Sequence, residues 1–169
     1  DHDIGLVSGD AAHSAAVALA RKEFELAEDT LSRLNERIMD APFSKFILSQ
    51  EDFSGDLFGR GRSRKVYPTL TKNLRILTRA FSPNRVQFLF FHRPEDAWLK
   101  SCYAQHLRYR AKFNSYDDFQ NHLLNPLDWQ ALLAKPKEFA GERLHVEDYR
   151  EDPHAGIQDL LRFVLGPGG

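Results

Sequence analysis

The sequence predicts an α/β protein with a largely parallel central sheet. Three apolar runs of strand length, at 45–49, 86–91 and 143–147, alternate with longer segments whose apolar residues recur every three or four positions. Strands that alternate with helices in this way are typical of a parallel sheet covered by helices. The chain has 169 residues, of which 42% are hydrophobic, and this suits one domain with a substantial core.

The first half of the chain is predicted to hold one strand and two helices. Over 13–40 the apolar residues fall on one face of a helix, and charged residues fill the other face. The run at 45–49 is too short for a helix and fits a buried strand. Glycines interrupt 50–65, which is predicted to be a loop, and a second helix follows over 69–81.

The second half contains the strongest strand of the sequence, at 86–91. This run is nearly continuous in apolar residues, as expected for a central strand of a parallel sheet. Pro94 stands where a helix would begin, with two acidic residues after it, so a helix is predicted from 94 to about 112. The remaining predicted elements are helices over 116–123 and 127–133, a strand over 143–147 and a helix over 156–165.

The overall charge of the chain gives no reason to expect a polyanionic partner. The formal net charge is −1, so nothing global points to nucleic acid or to an anionic membrane, and an anion site must be local. No apolar run is long enough for a membrane span, and the polar N-terminus is unlike a signal peptide. The single cysteine, Cys102, cannot form an internal disulfide and favours a reducing compartment, so we expect a cytoplasmic protein. The sequence predicts no particular oligomeric state.

Arg93 lies where ligands collect in α/β sheets, between the end of the strongest predicted strand and the start of a helix. A helix N-terminus offers free N–H groups and a partial positive charge to a phosphate, and a guanidinium adds a planar fork of donors. Ser101 lies about two turns further on, on the face that carries the helix start and Arg108, so its hydroxyl is a candidate donor to the same anion. The alternative is an ion-paired or solvated Arg93 and an exposed Ser101, with Glu95 and Asp96 occupying the helix end.

The segment 86–108, VQFLFFHRPEDAWLKSCYAQHLR, resembles the 3′-phosphate-binding segment of sulfotransferases. In that family a hydrophobic strand precedes an Arg, a helix start and a Ser eight residues after the Arg, which is the spacing of Arg93 and Ser101 here. The segment 143–166 is similar to the family's later strand and helix. The run 46–51 resembles the strand and Ser/Glu loop of bacterial carbohydrate-type members. The resemblance covers roughly residues 43–166.

The resemblance implies a three-layer α/β/α fold of the P-loop-NTPase-like sulfotransferase type. It also implies that Arg93 and Ser101 hold the 3′-phosphate of 3′-phosphoadenosine-5′-phosphosulfate, the sulfuryl donor. The sulfuryl group would then move to a hydroxyl or amine of a carbohydrate or small-molecule acceptor, and no metal ion would be required.

The family's second phosphate site has no counterpart in the sequence. That site is a Gly/Ser/Thr-rich turn with a Lys, between the first strand and a helix, whereas the stretch 4–10 has two glycines, no Lys and no strand predicted before it. The family's late glycine-and-basic loop is absent too, unless 166–169 is its remnant. We expect residues 1–169 to form a single sulfotransferase-like domain whose phosphosulfate loop lies upstream of Asp1. The alternative is a relative that binds nucleotide without transferring sulfate.

Transfer also requires a base that takes the proton of the acceptor. Glu51 is the leading candidate because it lies just past a predicted strand end, in the same layer of strand ends as Arg93, and Asp52 is a substitute. The alternative is that Glu51 is a surface acid in a loop. His13 and His106 rank lower, since a histidine on a helix is more often a packed or exposed residue than a base.

Two further features are candidates for binding the acceptor or the nucleotide. The run 60–65, RGRSRK, contains four cations and could gate the site or attract an anionic acceptor such as an acidic sugar. Such a run is more often a solvated loop. Trp98 and Tyr103 lie on the predicted Arg93 helix and could stack on an adenine or a sugar, although helix aromatics more often belong to a core.

Three functions are therefore compared. The first is a sulfotransferase, and the second is a non-catalytic nucleotide-binding or interaction domain that retains only the 3′-phosphate site. The third is a kinase-like phosphotransferase. The absence from this sequence of a GxxxxGK motif followed by Ser or Thr counts against it. A Lys-containing Gly/Ser/Thr loop before Asp1 would favour the enzyme, and its absence would favour the binding domain.

Overall fold

The computed structural model describes residues 4–7, 10–60, 62–82, 86–109 and 112–165. The strands are β1 (Ile4–Val7), β2 (Lys45–Leu48), β3 (Phe88–His92) and β4 (Leu144–Asp148). The helices are α1 (Asp10–Arg21), α2 (Phe24–Met39), α3 (Leu70–Ala80), α4 (Glu95–Tyr109), α5 (Tyr116–Asn121), α6 (Trp129–Ala140) and α7 (Pro153–Leu165). Short 3₁₀ helices occupy Glu51–Ser54 and Gly141–Arg143. The mixed α/β class predicted from the sequence is confirmed.

The strands form two parallel pairs. β1 pairs with β2, with Ile4 opposite Lys45, and β3 pairs with β4, with Phe88 opposite Leu144. The prediction of parallel strands is confirmed, but among the described residues they belong to two small sheets rather than to one central sheet. In each pair the carboxyl ends of both strands therefore lie at the same edge. This is the edge at which ligands bind in open α/β sheets.

Helix α3 connects the cores of the two sheets. Its residues Ile76 and Leu77 join an apolar cluster with α1 and α2, against which Phe46 and Leu48 of β2 and Phe88 of β3 pack. A second apolar cluster, formed by residues of α3 and α6, packs against apolar side chains of β3 and β4. Burial of these side chains supplies the main stabilising term, so the two strand pairs share one helical layer.

The helix predicted over 13–40 is in fact two helices, with a break at Lys22. The N–H of Lys22 donates to the carbonyl of Leu19, and the N–H of Glu23 donates to the carbonyl of Ala18. This is the paired hydrogen-bond pattern that closes a helix when the next residue turns left-handed, and Lys22 has a φ of 66°. The usual signal for that turn is a glycine, which is absent here, so the apolar periodicity predicts one uninterrupted helix.

Two further elements differ from the sequence-based prediction. β1 was not predicted, since four residues that include Gly5 carry little strand signal. Helix α6 was predicted to end at 133, but it continues to Ala140 through Pro136, which is buried against its neighbours. Tertiary burial thus overrides the tendency of a proline to end a helix.

Helix length bears on any membrane association. No helix within the described ranges combines the length and the apolar content that a membrane crossing requires. The longest, α2, has 16 residues and carries charged side chains along one face.

A buried histidine makes the stability of the fold depend on pH. The His106 side chain is 4% exposed, packs against Phe113 and Phe119, and accepts a hydrogen bond at Nε2 from the Lys112 N–H. Burial lowers the pKa of His106 below its ordinary value of 6.5, and the positive charge of Lys112 lowers the pKa further. The unfolded chain therefore binds this proton at a higher pH than the folded chain does.

We expect the free energy of unfolding to decrease as the pH falls below about 6.5, because unfolding then takes up a proton at His106. Urea unfolding at pH 7.5 and pH 5.5 measures this. His106→Gln, which keeps an acceptor for Lys112, should lose less stability over that interval than the wild type. His154→Gln, at the exposed start of α7, is the control. It should leave the difference in the free energy of unfolding between the two pH values unchanged. If His106→Gln lost as much stability between pH 7.5 and pH 5.5 as the wild type does, His106 would not be the cause of the pH dependence.

Candidate functional site

The candidate site lies at the carboxyl end of the β3–β4 pair. His92 is the last residue of β3 and stands opposite Asp148, the last residue of β4. Arg93 and Tyr149 follow directly, and the N–H of Tyr149 donates to the carbonyl of His92 at 2.7 Å. This hydrogen bond extends the parallel pairing by one residue, so the two strands present four side chains with polar atoms at one edge.

Arg93 is held by its backbone while its side chain keeps its hydrogen-bonding capacity. The Trp129 indole N–H donates to the Arg93 carbonyl at 2.6 Å, and the guanidinium carbon lies 3.9 Å from the centre of the Tyr149 ring. Arg93 as a whole residue is half-buried. Among the described residues no carboxylate forms an ion pair with it. A stacked guanidinium without an acidic partner retains its planar donors for an external anion.

The start of α4 lies beside Arg93 as predicted. The first N–H bonded within the helix is that of Trp98, which donates to the carbonyl of Pro94. Asp96 is directed to Lys100 at 2.7 Å and accepts from the Tyr116 hydroxyl, and the Lys100 hydrogen bond lowers the pKa of the Asp96 carboxyl. Asp96 therefore pairs with a lysine on its own helix, and Glu95 is the other acid in the first turn of α4.

Ser101 is half-buried on α4 and lies next to the buried Cys102. The part of the chain that the structure describes contains no direct hydrogen bond or ion pair that joins Arg93, Ser101 and Glu51. Arg108, predicted to share the face of Ser101, is exposed at the last turn of the helix. The pairing of Arg93 with Ser101 around a common phosphate thus stays a prediction.

Glu51 begins the 3₁₀ helix that follows β2, at the carboxyl end of the other strand pair. Its side chain is exposed, and Asp52 is half-buried. This short helix contacts α1 and is held by Asn73 of α3, a fully buried residue whose side-chain N–H donates to the Phe53 carbonyl at 3.0 Å. The segment that carries Glu51 is therefore anchored to the core, even though Glu51 itself reaches solvent.

Tyr67 and Cys102 lie within electrostatic range of both candidate regions. Burial raises the pKa of the Cys102 thiol to about 12, while Arg60 and Arg93 oppose that rise and Glu51 adds to it. Burial likewise raises the pKa of Tyr67, with smaller contributions from Cys102 and Glu51, while a hydrogen bond from the Trp98 side chain opposes the rise. Arg93 and Glu51 therefore influence the Cys102 thiol in opposite directions.

A histidine–carboxylate pair at the site was missed in the sequence. His92 Nε2 lies 3.4 Å from Asp148 Oδ1, the His92 ring is 6.0 Å from that of Trp129, and His92 Nδ1 is buried without a hydrogen-bond partner. A carboxylate beside an imidazole fixes the orientation of the ring, an arrangement that is common where a histidine acts as a base. The only signal in the sequence was the position of each residue at the end of a predicted strand, because the register that pairs them is set by the sheet.

The other predicted site residues lie in the core or at the surface. Trp98 and Tyr103 are half-buried in an aromatic cluster, with the Trp98 ring 5.4 Å from Trp129 and the Tyr103 ring 5.4 Å from Phe119, so they serve packing. His13 is exposed on the first turn of α1. His106 is buried and bonded to the backbone, as described above.

The basic run 60–65 is bound to the rest of the protein at several points. Arg60 donates to the Gln105 side chain at 3.2 Å, and Arg64 donates to the carbonyl of His122 at 3.1 Å. The N–H of Leu124 donates in turn to the Arg64 carbonyl at 2.8 Å. Gly61 lies outside the described residues. The run therefore divides into two anchored arginines and two further cations, Arg62 and Lys65, that line a cavity.

Comparison with known proteins adds no family to this description. No protein-family model, no curated protein and no solved structure matches the chain. Among the described residues, no group of three or more His, Cys, Asp or Glu side chains could hold a metal ion. Function therefore has to be argued from the site itself.

Proposed function

We propose that the protein binds 3′-phosphoadenosine-5′-phosphosulfate, with its 3′-phosphate at Arg93 and Ser101, and transfers the sulfuryl group to a carbohydrate or small-molecule acceptor. The observation that carries this proposal is the Arg93 guanidinium, which lies at the end of a parallel strand and the start of a helix without an ion-pair partner among the described residues. Free N–H groups at the start of α4 add further donors for a phosphate.

The fold that this function implies is a three-layer α/β/α sulfotransferase fold. Parallel strands in two pairs, connected through α3, are compatible with it. β1 and α1 form a strand followed by a helix at 4–21, the kind of unit in which the family carries its phosphosulfate loop. The residues between them, Ser8 and Gly9, include no lysine and lie outside the described part, so the expectation of a loop upstream of Asp1 stays a prediction.

The proposed reaction moves one sulfuryl group and one proton. An acceptor oxygen forms a bond to the sulfur of the donor, the bond from sulfur to the phosphate oxygen breaks, and adenosine 3′,5′-bisphosphate leaves. Glu51 takes the acceptor proton, and its exposure at the start of the anchored 3₁₀ helix suits contact with an incoming substrate. His92, paired with Asp148, is a second candidate for that proton. Arg93 binds the donor and stabilises its negative charge.

Replacing Arg93 with Ala is expected to weaken the binding of adenosine 3′,5′-bisphosphate by about 10- to 150-fold. The reason is that a charge-assisted hydrogen-bonding group is worth about 1.5–3 kcal/mol. Calorimetric titration measures the dissociation constant. Adenosine 5′-monophosphate, which lacks the 3′-phosphate, should bind the wild type and Arg93→Ala about equally.

The matched control is Arg37→Ala, an exposed arginine on α2, which should leave the affinity unchanged. The Trp129 indole N–H reports on the site directly, since it donates to the Arg93 carbonyl and the chain has 2 Trp. Its nuclear magnetic resonance signal should shift on adding the bisphosphate. Equal losses in Arg93→Ala and Arg37→Ala, or an unmoved Trp129 signal at saturation, would rule out this site.

A second candidate function is nucleotide binding without transfer. The absence of a lysine between β1 and α1 favours it, because such a lysine would neutralise the bridging oxygen as the sulfur bond breaks. The two candidates share the Arg93 site and differ in turnover. Release of bisphosphate from the phosphosulfate donor in the presence of a phenol or a sugar would favour the enzyme, and tight binding without release would favour the binding domain.

A further inference from the structure

A cavity of about 340 Å³ lies between the corner that joins α1 to α2 and the loop that precedes α3. We call it the basic cavity, and the residues of its wall that matter here are Lys22, Asp56, Arg62, Ser63, Lys65 and Thr69. Arg93, Ser101 and Glu51 do not line it. It is therefore separate from the residues to which the donor nucleotide is assigned.

The described wall of the basic cavity carries an excess of positive charge. Three cationic side chains, Lys22, Arg62 and Lys65, stand against one carboxylate, Asp56, a formal excess of two. None of the three cations forms an ion pair within the described part of the chain. Cations gathered around a concave surface raise the local concentration of anions.

Two of the three cations are held in place by their backbones. Lys22 has a φ of 66° and closes α1 through the hydrogen bonds of the α1–α2 corner. The N–H of Lys65 donates to the hydroxyl of Ser63 at 3.1 Å, which fixes the turn at the rim. Arg64, next to Lys65, is bonded to His122 and Leu124. The positions from which both side chains extend are thus set by the fold.

The remaining wall is largely apolar. Leu57, Phe58 and Pro68 contribute carbon surface, and Thr69 adds a hydroxyl. A small inorganic ion would use only the cations, whereas a molecule with both a charged group and a carbon skeleton would use both parts of the wall. This combination of a few placed polar groups and an apolar lining is typical of small-molecule sites.

We propose that the basic cavity binds a small organic anion, with a carboxylate set against Lys22, Arg62 and Lys65 and a carbon ring against the apolar wall. This site goes beyond the proposed nucleotide site and does not depend on it. The probe is benzoate, compared with its neutral analogue benzyl alcohol and with acetate, which has the charge without the ring.

Titrations followed by amide nuclear magnetic resonance test this on the intact chain. Benzoate should shift the signals of Gly59, Ser63 and Thr69, while benzyl alcohol and acetate should each bind at least about tenfold more weakly. Lys22→Asn keeps a residue that tolerates the left-handed turn, and it should weaken benzoate binding roughly fivefold, as should Arg62→Gln and Lys65→Gln.

Lys135→Gln, an exposed lysine on α6, is the matched control and should leave benzoate binding unchanged. The three substituted cations are exposed, and an unchanged amide spectrum confirms that each variant is folded. Equal binding of benzyl alcohol and benzoate would overturn the proposal. So would wild-type affinity in all three cation variants, or shifts confined to the two Trp indole signals, which would move the anion to the Arg93 region.

Discussion

Replacing Glu51 with Gln is expected to lower the rate of sulfuryl transfer by about 10²- to 10⁴-fold, which is the usual contribution of a general base. Glutamine has nearly the same shape as glutamate but cannot accept the proton of the acceptor. Because Glu51 lies after β2 and Arg93 after β3, the affinity for adenosine 3′,5′-bisphosphate should stay within about twofold of the wild type. Single-turnover release of bisphosphate from the phosphosulfate donor, with a phenol or a sugar supplied as acceptor, measures the rate.

Two matched variants separate the possible proton acceptors. Asp52→Asn changes the neighbouring acid on the same 3₁₀ helix, and His92→Gln removes the imidazole that is paired with Asp148. A large loss of rate in Glu51→Gln alone would assign the proton to Glu51. A large loss in His92→Gln with normal turnover in Glu51→Gln would transfer that role to the His92–Asp148 pair. A wild-type rate in all three variants would exclude each of them as the base.

The sequence predicts the strongly patterned elements well. β3 and α4 lie close to where a continuous apolar run, Pro94 and two acids predict them, because these signals are local. The break at Lys22 was missed because the left-handed turn is made by a residue that seldom adopts it. The extension of α6 through Pro136 was missed because burial against other elements determines it. Pairing of strands into two sheets depends on contacts between distant segments, which a single sequence does not reveal.

The candidate site is predicted only in part for the same reason. The place of Arg93 follows from the order strand, arginine, helix, which is readable in the sequence. Its stacking on Tyr149 and the pairing of His92 with Asp148 require the register of β3 against β4. The basic cavity exists because the fold brings Lys22 next to the loop that carries Arg62, and these two segments are far apart in the sequence. Charge density in the run 60–65 indicates an anion site, but the sequence cannot tell which cations the fold anchors elsewhere.

Replacing Phe119 with Ala is expected to lower the free energy of unfolding by about 3–5 kcal/mol, a large part of the total for a domain of this size. The ring is fully buried on α5 and contacts the rings of Phe58, Tyr103 and Phe113 at centroid distances of 4.9, 5.4 and 5.3 Å. Its removal leaves a cavity in the aromatic cluster that supports α4. Urea unfolding measures the loss, and Phe43→Ala, at a side chain that is 43% exposed, should cost less than about 1 kcal/mol.

Gly59 provides a second test of the same packing, because a Cβ there would lie 2.5 Å from Phe119 Cε2 and the residue has a φ of 91°. Gly59→Ala should therefore destabilise the wild type by about 2–5 kcal/mol, from backbone strain and from overpacking together. Once Phe119 is Ala the clash disappears and only the strain remains, so Gly59→Ala should then cost about 1–2 kcal/mol. The double-mutant cycle isolates the difference. Additive losses would mean that Phe119 does not press on Gly59.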